Sequence, residues 1–156
     1  MAKKYKHWND GKHQKPIFET GLMADEIMRN LTQFLMNDFK ISEKTDIQQH
    51  YVIQRFDKAT QYMENVCHIL RDANSINALY PVDFEQRRIR WMSAKGYCFR
   101  LMALLDTISV FVHKDTNVQK YADLSEQLMM LSVKIQNILI SDDKRKKNSK
   151  PYVGNA

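Results

Sequence analysis

Apolar residues recur along this chain in steps of three and four, the spacing that lines one face of an α-helix. One series is Trp91, Ala94, Cys98, Leu101, Leu105 and Ile108, stepping 3, 4, 3, 4, 3 and continuing to Val112. Another is Val52, Phe56, Ala59, Met63, Val66 and Leu70, stepping 4, 3, 4, 3, 4. A third is Tyr121, Leu124, Leu128, Leu131, Ile135 and Ile138, stepping 3, 4, 3, 4, 3. A less regular series through Leu22, Ile27, Leu31, Phe34 and Leu35 precedes them. No stretch alternates apolar and polar residues as a half-buried strand would.

Four helices are therefore predicted, and the punctuation between them agrees. The first begins near Pro16 and ends at about Asp38, with Gly21 weakening its first turns. Thr45 with Gln48, Asp83 with Gln86, and Thr116 with Gln119 each have the three-residue spacing of an N-terminal capping box. The stretches "RDANSINALYP" and "HKDTN" supply the breaks. Seams that repeat near 3.5 residues pack best as a left-handed bundle whose neighbours cross at about 20°. Short connections favour antiparallel neighbours. The expected fold is all-α: an antiparallel up-down four-helix bundle over residues 16–141. A mobile basic tail (1–15) would precede it and a disordered basic tail (142–156) follow it. Phe99, Met102, Leu104, Val110 and Phe111 lie off the third seam, and Met129, Met130, Val133 and Leu139 off the fourth. Such residues need cover, which a homo-oligomer would provide.

Composition narrows the class. The chain has 156 residues, 44% hydrophobic and 27% charged, enough for one soluble domain with a real core. No apolar run approaches a membrane span, and the basic N-terminus lacks the apolar stretch of a signal peptide. A cytoplasmic protein with no membrane partner is expected. Cys67 and Cys98 have no metal-ligand or CxxC spacing and read as free, buried thiols.

The net charge of +6 is unevenly placed: +4 on residues 1–16, +3 on residues 142–156 and −1 on residues 17–141. Within that nearly neutral middle, residues 83–100 carry +3. Conventional chemistry is absent from the pattern. The five histidines form no HExxH or Glu-x-x-His pair, no Gly-rich loop could cradle phosphate, and no serine or cysteine has a base beside it. No catalytic residue, cofactor or metal is expected. What remains is a polyanion reading, with Arg87, Arg88, Arg90, Lys95, Arg100, Lys144, Arg145, Lys146 and Lys147 as candidate phosphate contacts. The competing reading is a solvated face with intrahelical pairs such as Glu85 with Arg88.

The second segment, "VIQRFDKATQYMENVCHILRDAN", resembles the "GQR-I…A…LLE-L-EAN" helix of the Avd proteins, accessory variability determinants of diversity-generating retroelements. Gln54 and Arg55 match that family's Gln-Arg, and Asp72-Ala73-Asn74 resembles its Glu-Ala-Asn. The Arg-rich opening of the third segment with "LMALLDTI", and the fourth segment "YADLSEQLMMLSVKIQNIL", are similar to its last two helices. Related four-helix proteins encoded in rRNA intervening sequences share the pattern. Ile53 stands where the family usually has Gly, the family's Phe-Pro is missing, and both basic tails are additions. The resemblance implies a four-helix bundle assembled as a homopentamer, without catalytic activity. It also implies binding of a reverse transcriptase and its template RNA in support of mutagenic cDNA synthesis. The alternative is a helical adaptor with no nucleic-acid role.

Overall fold

The computed structural model describes residues 18–38, 46–109 and 117–149, which form four α-helices and, among the described residues, no strand. They are α1 (Glu19–Asp38), α2 (Asp46–Ser75), α3 (Pro81–Ile108) and α4 (Gln119–Lys147). Each packs chiefly on two others: α1 on α2 and α4, and α3 on α2 and α4. The all-α helical bundle expected from periodicity is the observed fold.

The seams are the core. Trp91, Ala94, Cys98, Leu101, Leu105 and Ile108 are each at most 1% exposed. Val52, Ala59, Met63, Val66 and Leu70 of α2 are buried, with Phe56 half-buried at the edge. In α4 the buried run is Tyr121, Leu124, Leu128, Leu131, Ile135 and Leu139, with Ile138 packed against it. In α1, Ile27, Leu31 and Leu35 are buried, whereas Leu22 is exposed. Each full burial of such a side chain contributes about 1.5–3 kcal/mol.

Contacts between the helices join the start of one to the end of another. Arg71, late in α2, pairs with Asp25 of early α1 at 2.6 Å and donates to the Gly21 carbonyl at 3.4 Å. A Cβ at Gly21 would lie 2.5 Å from the Phe18 ring and 3.3 Å from Arg71 Nη2, so the glycine leaves room for both neighbours. Phe18 in turn sets its edge on Trp91, with centroids 6.3 Å apart. Asp38, at the end of α1, accepts from the Tyr121 hydroxyl (2.7 Å) and the Lys120 ammonium (2.8 Å) at the start of α4.

Two boundaries differ from the sequence expectation. Asp83 does not precede α3; it is the third residue of the helix. Its carboxylate reaches back to accept from the Tyr80 N–H (2.9 Å) and the Leu79 N–H (3.0 Å). Pro81 takes the first position, where a missing N–H costs nothing. The second difference is larger. Helix α4 runs on to Lys147, so residues 142–147 are not the tail predicted from residue 142 onward. The reason is a buried Asp142, described below. The N-terminal tail, Thr45, Thr116, Val110, Phe111, Val112 and residues 150–156 lie outside the described residues, and so do the expectations that rest on them.

Candidate nucleic-acid interface

Stepping back from Trp91 by four and then three reaches Arg87 and Phe84, and both are buried. Arg87 is therefore a seam residue, not one on the polar face. Stepping on from Ile138 by four reaches Asp142, which is 4% exposed. The two meet across α3 and α4. Arg87 Nε donates to Asp142 Oδ2 at 2.8 Å and Nη2 to Oδ1 at 3.2 Å. Its Nη1 donates to the carbonyls of Ala73 (3.2 Å) and Ile76 (3.1 Å), which tie the end of α2 to the same point. All the guanidinium nitrogens thus have oxygen partners. Arg87 holds three helix ends together and is withdrawn from the candidate phosphate contacts, because moving it out would leave Asp142 charged and unpaired in the interior.

The other predicted cations lie nearer the surface, in three places. At the α3–α4 end, Arg88 pairs with Asp143 (3.3 Å), Lys146 with Glu85, and Arg145 with Asp142 (3.3 Å). The Glu85–Arg88 pair expected within α3 is replaced by these bonds to α4. Exposed pairs of this kind are worth about 0–1 kcal/mol, so Arg88 and Lys146 can exchange a carboxylate for a phosphate at little cost. Arg90 donates to its own helix at Gln86 (3.0 Å to the carbonyl). Lys144 and Lys147 are exposed and pair with no carboxylate among the described residues. Four cations in the last turn of α4 also sit where the helix dipole favours them.

Lys95 is engaged differently. It donates to Gln136 of α4 at 2.7 Å, and its ammonium lies 6.0 Å from the Phe99 ring centroid. By helical register, Met92 and Phe99 flank it on α3, and Val133 and Ile140 flank Gln136 on α4. Lys95 thus belongs to an apolar strip, not to a basic one.

Arg100 turns toward α2. There it lines an open cleft of about 360 Å³ with Arg55, Lys58, Tyr62, Ala103, Leu104 and Thr107. Among the described residues, none of the three cations pairs with a carboxylate and no carboxylate lines the cleft. Sequence reading gave Arg55 no role and passed over Lys58. The signal was present as a second stripe on α2: Tyr51, Arg55, Lys58 and Tyr62, stepping 4, 3, 4.

Cys98 is a buried thiol and Cys67 a half-buried one. Burial pushes Cys98 up to about 12 and Cys67 up to about 11, so neither is a thiolate at neutral pH. Burial first, and then the Asp38 carboxylate, also push Tyr121 well above the ordinary phenol range. Among the described residues, no group of three or more His, Cys, Asp or Glu side chains could hold a metal ion, and no helix is long and apolar enough to cross a membrane. No family model, curated protein or solved structure matches the chain.

Proposed function

We propose that the chain is a non-enzymatic RNA-binding protein that serves as an accessory subunit of a reverse transcriptase, as the resemblance to the Avd proteins implies. The observation that carries the nucleic-acid part is the α2–α3 cleft, where Arg55, Lys58 and Arg100 converge with no carboxylate lining it among the described residues. On α3 and α4, by contrast, Arg88, Arg145 and Lys146 are matched to acids, as a solvated face would have them. An unmatched trio around one concavity holds a positive potential that an approaching phosphate can neutralise. The exposed Lys144 and Lys147 add a second basic surface at the end of α4.

The same reading includes self-association. Ile89, Met92, Phe99, Met129, Met130, Val133 and Ile140 of α3 and α4 are each 42–61% exposed, an apolar surface that a second copy would cover. The resemblance implies that the assembly is a pentamer.

The test is a pull-down with tagged full-length chain, using the reverse transcriptase encoded nearest its gene and that enzyme's template RNA, with and without ribonuclease. Retention of both RNA and polymerase, with raised cDNA yield, supports the proposal. Retention of neither overturns it. Retention of polymerase alone, unaffected by ribonuclease, favours the helical adaptor.

A further inference from the structure

The cleft between α2 and α3 has a feature that charge alone does not require: both of its arginines lie on tyrosines. Arg55 Cζ sits 4.2 Å from the centroid of the Tyr51 ring, and Arg100 Cζ sits 4.9 Å from that of Tyr97. Across the helix interface Tyr97 meets Tyr62, centroids 5.7 Å apart and planes tilted by 47°. Tyr62 lines the cleft, and both rings of that pair are half-buried on packed helices. Their positions are therefore set before any ligand arrives, which lowers the entropy lost on binding. A guanidinium laid on a ring also keeps its outer face open and becomes a second flat surface. Ala103 and Thr107 are small, so the cleft keeps a volume of about 360 Å³. That falls at the lower end of the roughly 300–1,000 Å³ typical of ligand clefts.

Flat aromatic and guanidinium surfaces beside unmatched cations suit a chain that carries both phosphates and free π-faces. A duplex offers only the phosphates, because its bases are stacked on one another. We propose that this cleft binds a single-stranded nucleic acid, with its phosphates on Arg55, Lys58 and Arg100 and an unpaired base stacked against Tyr62 and the guanidinium layered on Tyr97. The proposal rests on the nucleic-acid reading above and adds the strandedness and the site. RNA and DNA single strands share this chemistry, since nothing in the cleft requires a 2′-hydroxyl.

Fluorescence anisotropy of the full chain tests it. The probes are a labelled 20-nucleotide RNA without secondary structure, the DNA of the same sequence, and the blunt RNA duplex, each over a salt series. The variants are Tyr62→Leu, Tyr97→Leu and Tyr97→Phe, with circular dichroism to verify folding. Both single strands should bind at least about tenfold more tightly than the duplex. Tyr62→Leu should lose about five- to a hundred-fold in single-strand affinity, the range of one stacked base, and Tyr97→Leu, which removes the ring beneath the Arg100 guanidinium, should also lose single-strand affinity, both with duplex binding unchanged. Tyr97→Phe keeps the ring and should bind like wild type, which separates stacking from a lost hydroxyl or a packing defect. Tighter binding of RNA than DNA would identify RNA as the source; equal binding would leave the cleft indifferent to the sugar, and either result supports the proposal. Equal affinity for duplex and single strand, or folded Leu variants that bind like wild type, overturns the stacking site and leaves nucleic-acid binding standing. Displacement by polyglutamate as effective as that by single-stranded RNA also overturns it, since charge alone would then suffice. No binding of any nucleic acid removes the underlying reading as well.

Discussion

An arginine inside a helical bundle loses its hydration and must recover it from oxygens that other elements supply. Arg87 recovers it from Asp142 and from two carbonyls at the end of α2. Asp142→Ala would leave the guanidinium buried with its charge uncompensated. It should cost about 3–5 kcal/mol in urea unfolding. The double variant Arg87→Met/Asp142→Leu should recover much of that loss, because no charge then remains inside. A single-variant loss below about 1 kcal/mol would show that the pair is open to water. This residue also marks where sequence reading stops. The stepping by three and four pointed to both Arg87 and Asp142, but a seam traced by apolar residues ends at the first polar one. Asp38, three residues past Leu35, was missed for the same reason. The chain closes both ends of its core with charged seam residues, and a hydrophobic pattern cannot register them.

The helices themselves were legible because their stability comes from one continuous apolar face, and that face has a period. Leu105 lies on it and is 1% exposed. Leu105→Ala should cost about 2–5 kcal/mol by denaturant unfolding, as for other buried leucines. A loss under about 0.5 kcal/mol, typical of exposed sites, would mean that another face of α3 is packed. Helix starts were less legible, since a short carboxylate can serve as the cap or reach back from the third position. At α3 the two backbone N–H donors hold the Asp83 carboxyl below its ordinary range. A carboxyl lowered in the folded state stabilises above its unfolded value, near 3.9, and that contribution is lost as pH falls through the folded value. Asp83→Ala should therefore be less stable than wild type at pH 7, with the gap narrowing as pH drops below about 4. Urea midpoints across that range check it; a gap independent of pH would assign the effect to something other than the ionised carboxylate.

At the scale of the whole molecule, three surfaces stand out among the described residues: the α3–α4 end, where Arg88, Arg145 and Lys146 are matched to acids and Lys144 and Lys147 are not, an apolar strip on α3 and α4, and the unmatched basic cleft between α2 and α3. Only the first two left a local trace that sequence reading used. The cleft combines Arg55 and Lys58 with Arg100, more than 40 residues away in the chain, so only packing brings them together. The apolar strip predicts an assembly. Light scattering at micromolar concentration should return a multiple of 18.5 kDa, and Phe99→Lys with Val133→Lys should shift it toward the single chain. A clean 18.5 kDa wild-type species would remove self-association from the account. The central claim is that the unmatched cations of the cleft, and not the total basic charge, grip a nucleic acid. The most direct test is a salt series of single-stranded RNA affinities for wild type, for Arg55→Gln/Lys58→Gln/Arg100→Gln, and for Lys144→Gln/Lys147→Gln. Each phosphate contact on a single strand contributes roughly 0.7 to the slope of log affinity against log salt. Loss of the three cleft cations should therefore lower the slope by about 2 and sharply weaken binding, more than loss of the two exposed lysines at the end of α4. A folded cleft variant with the wild-type slope and affinity would contradict the account.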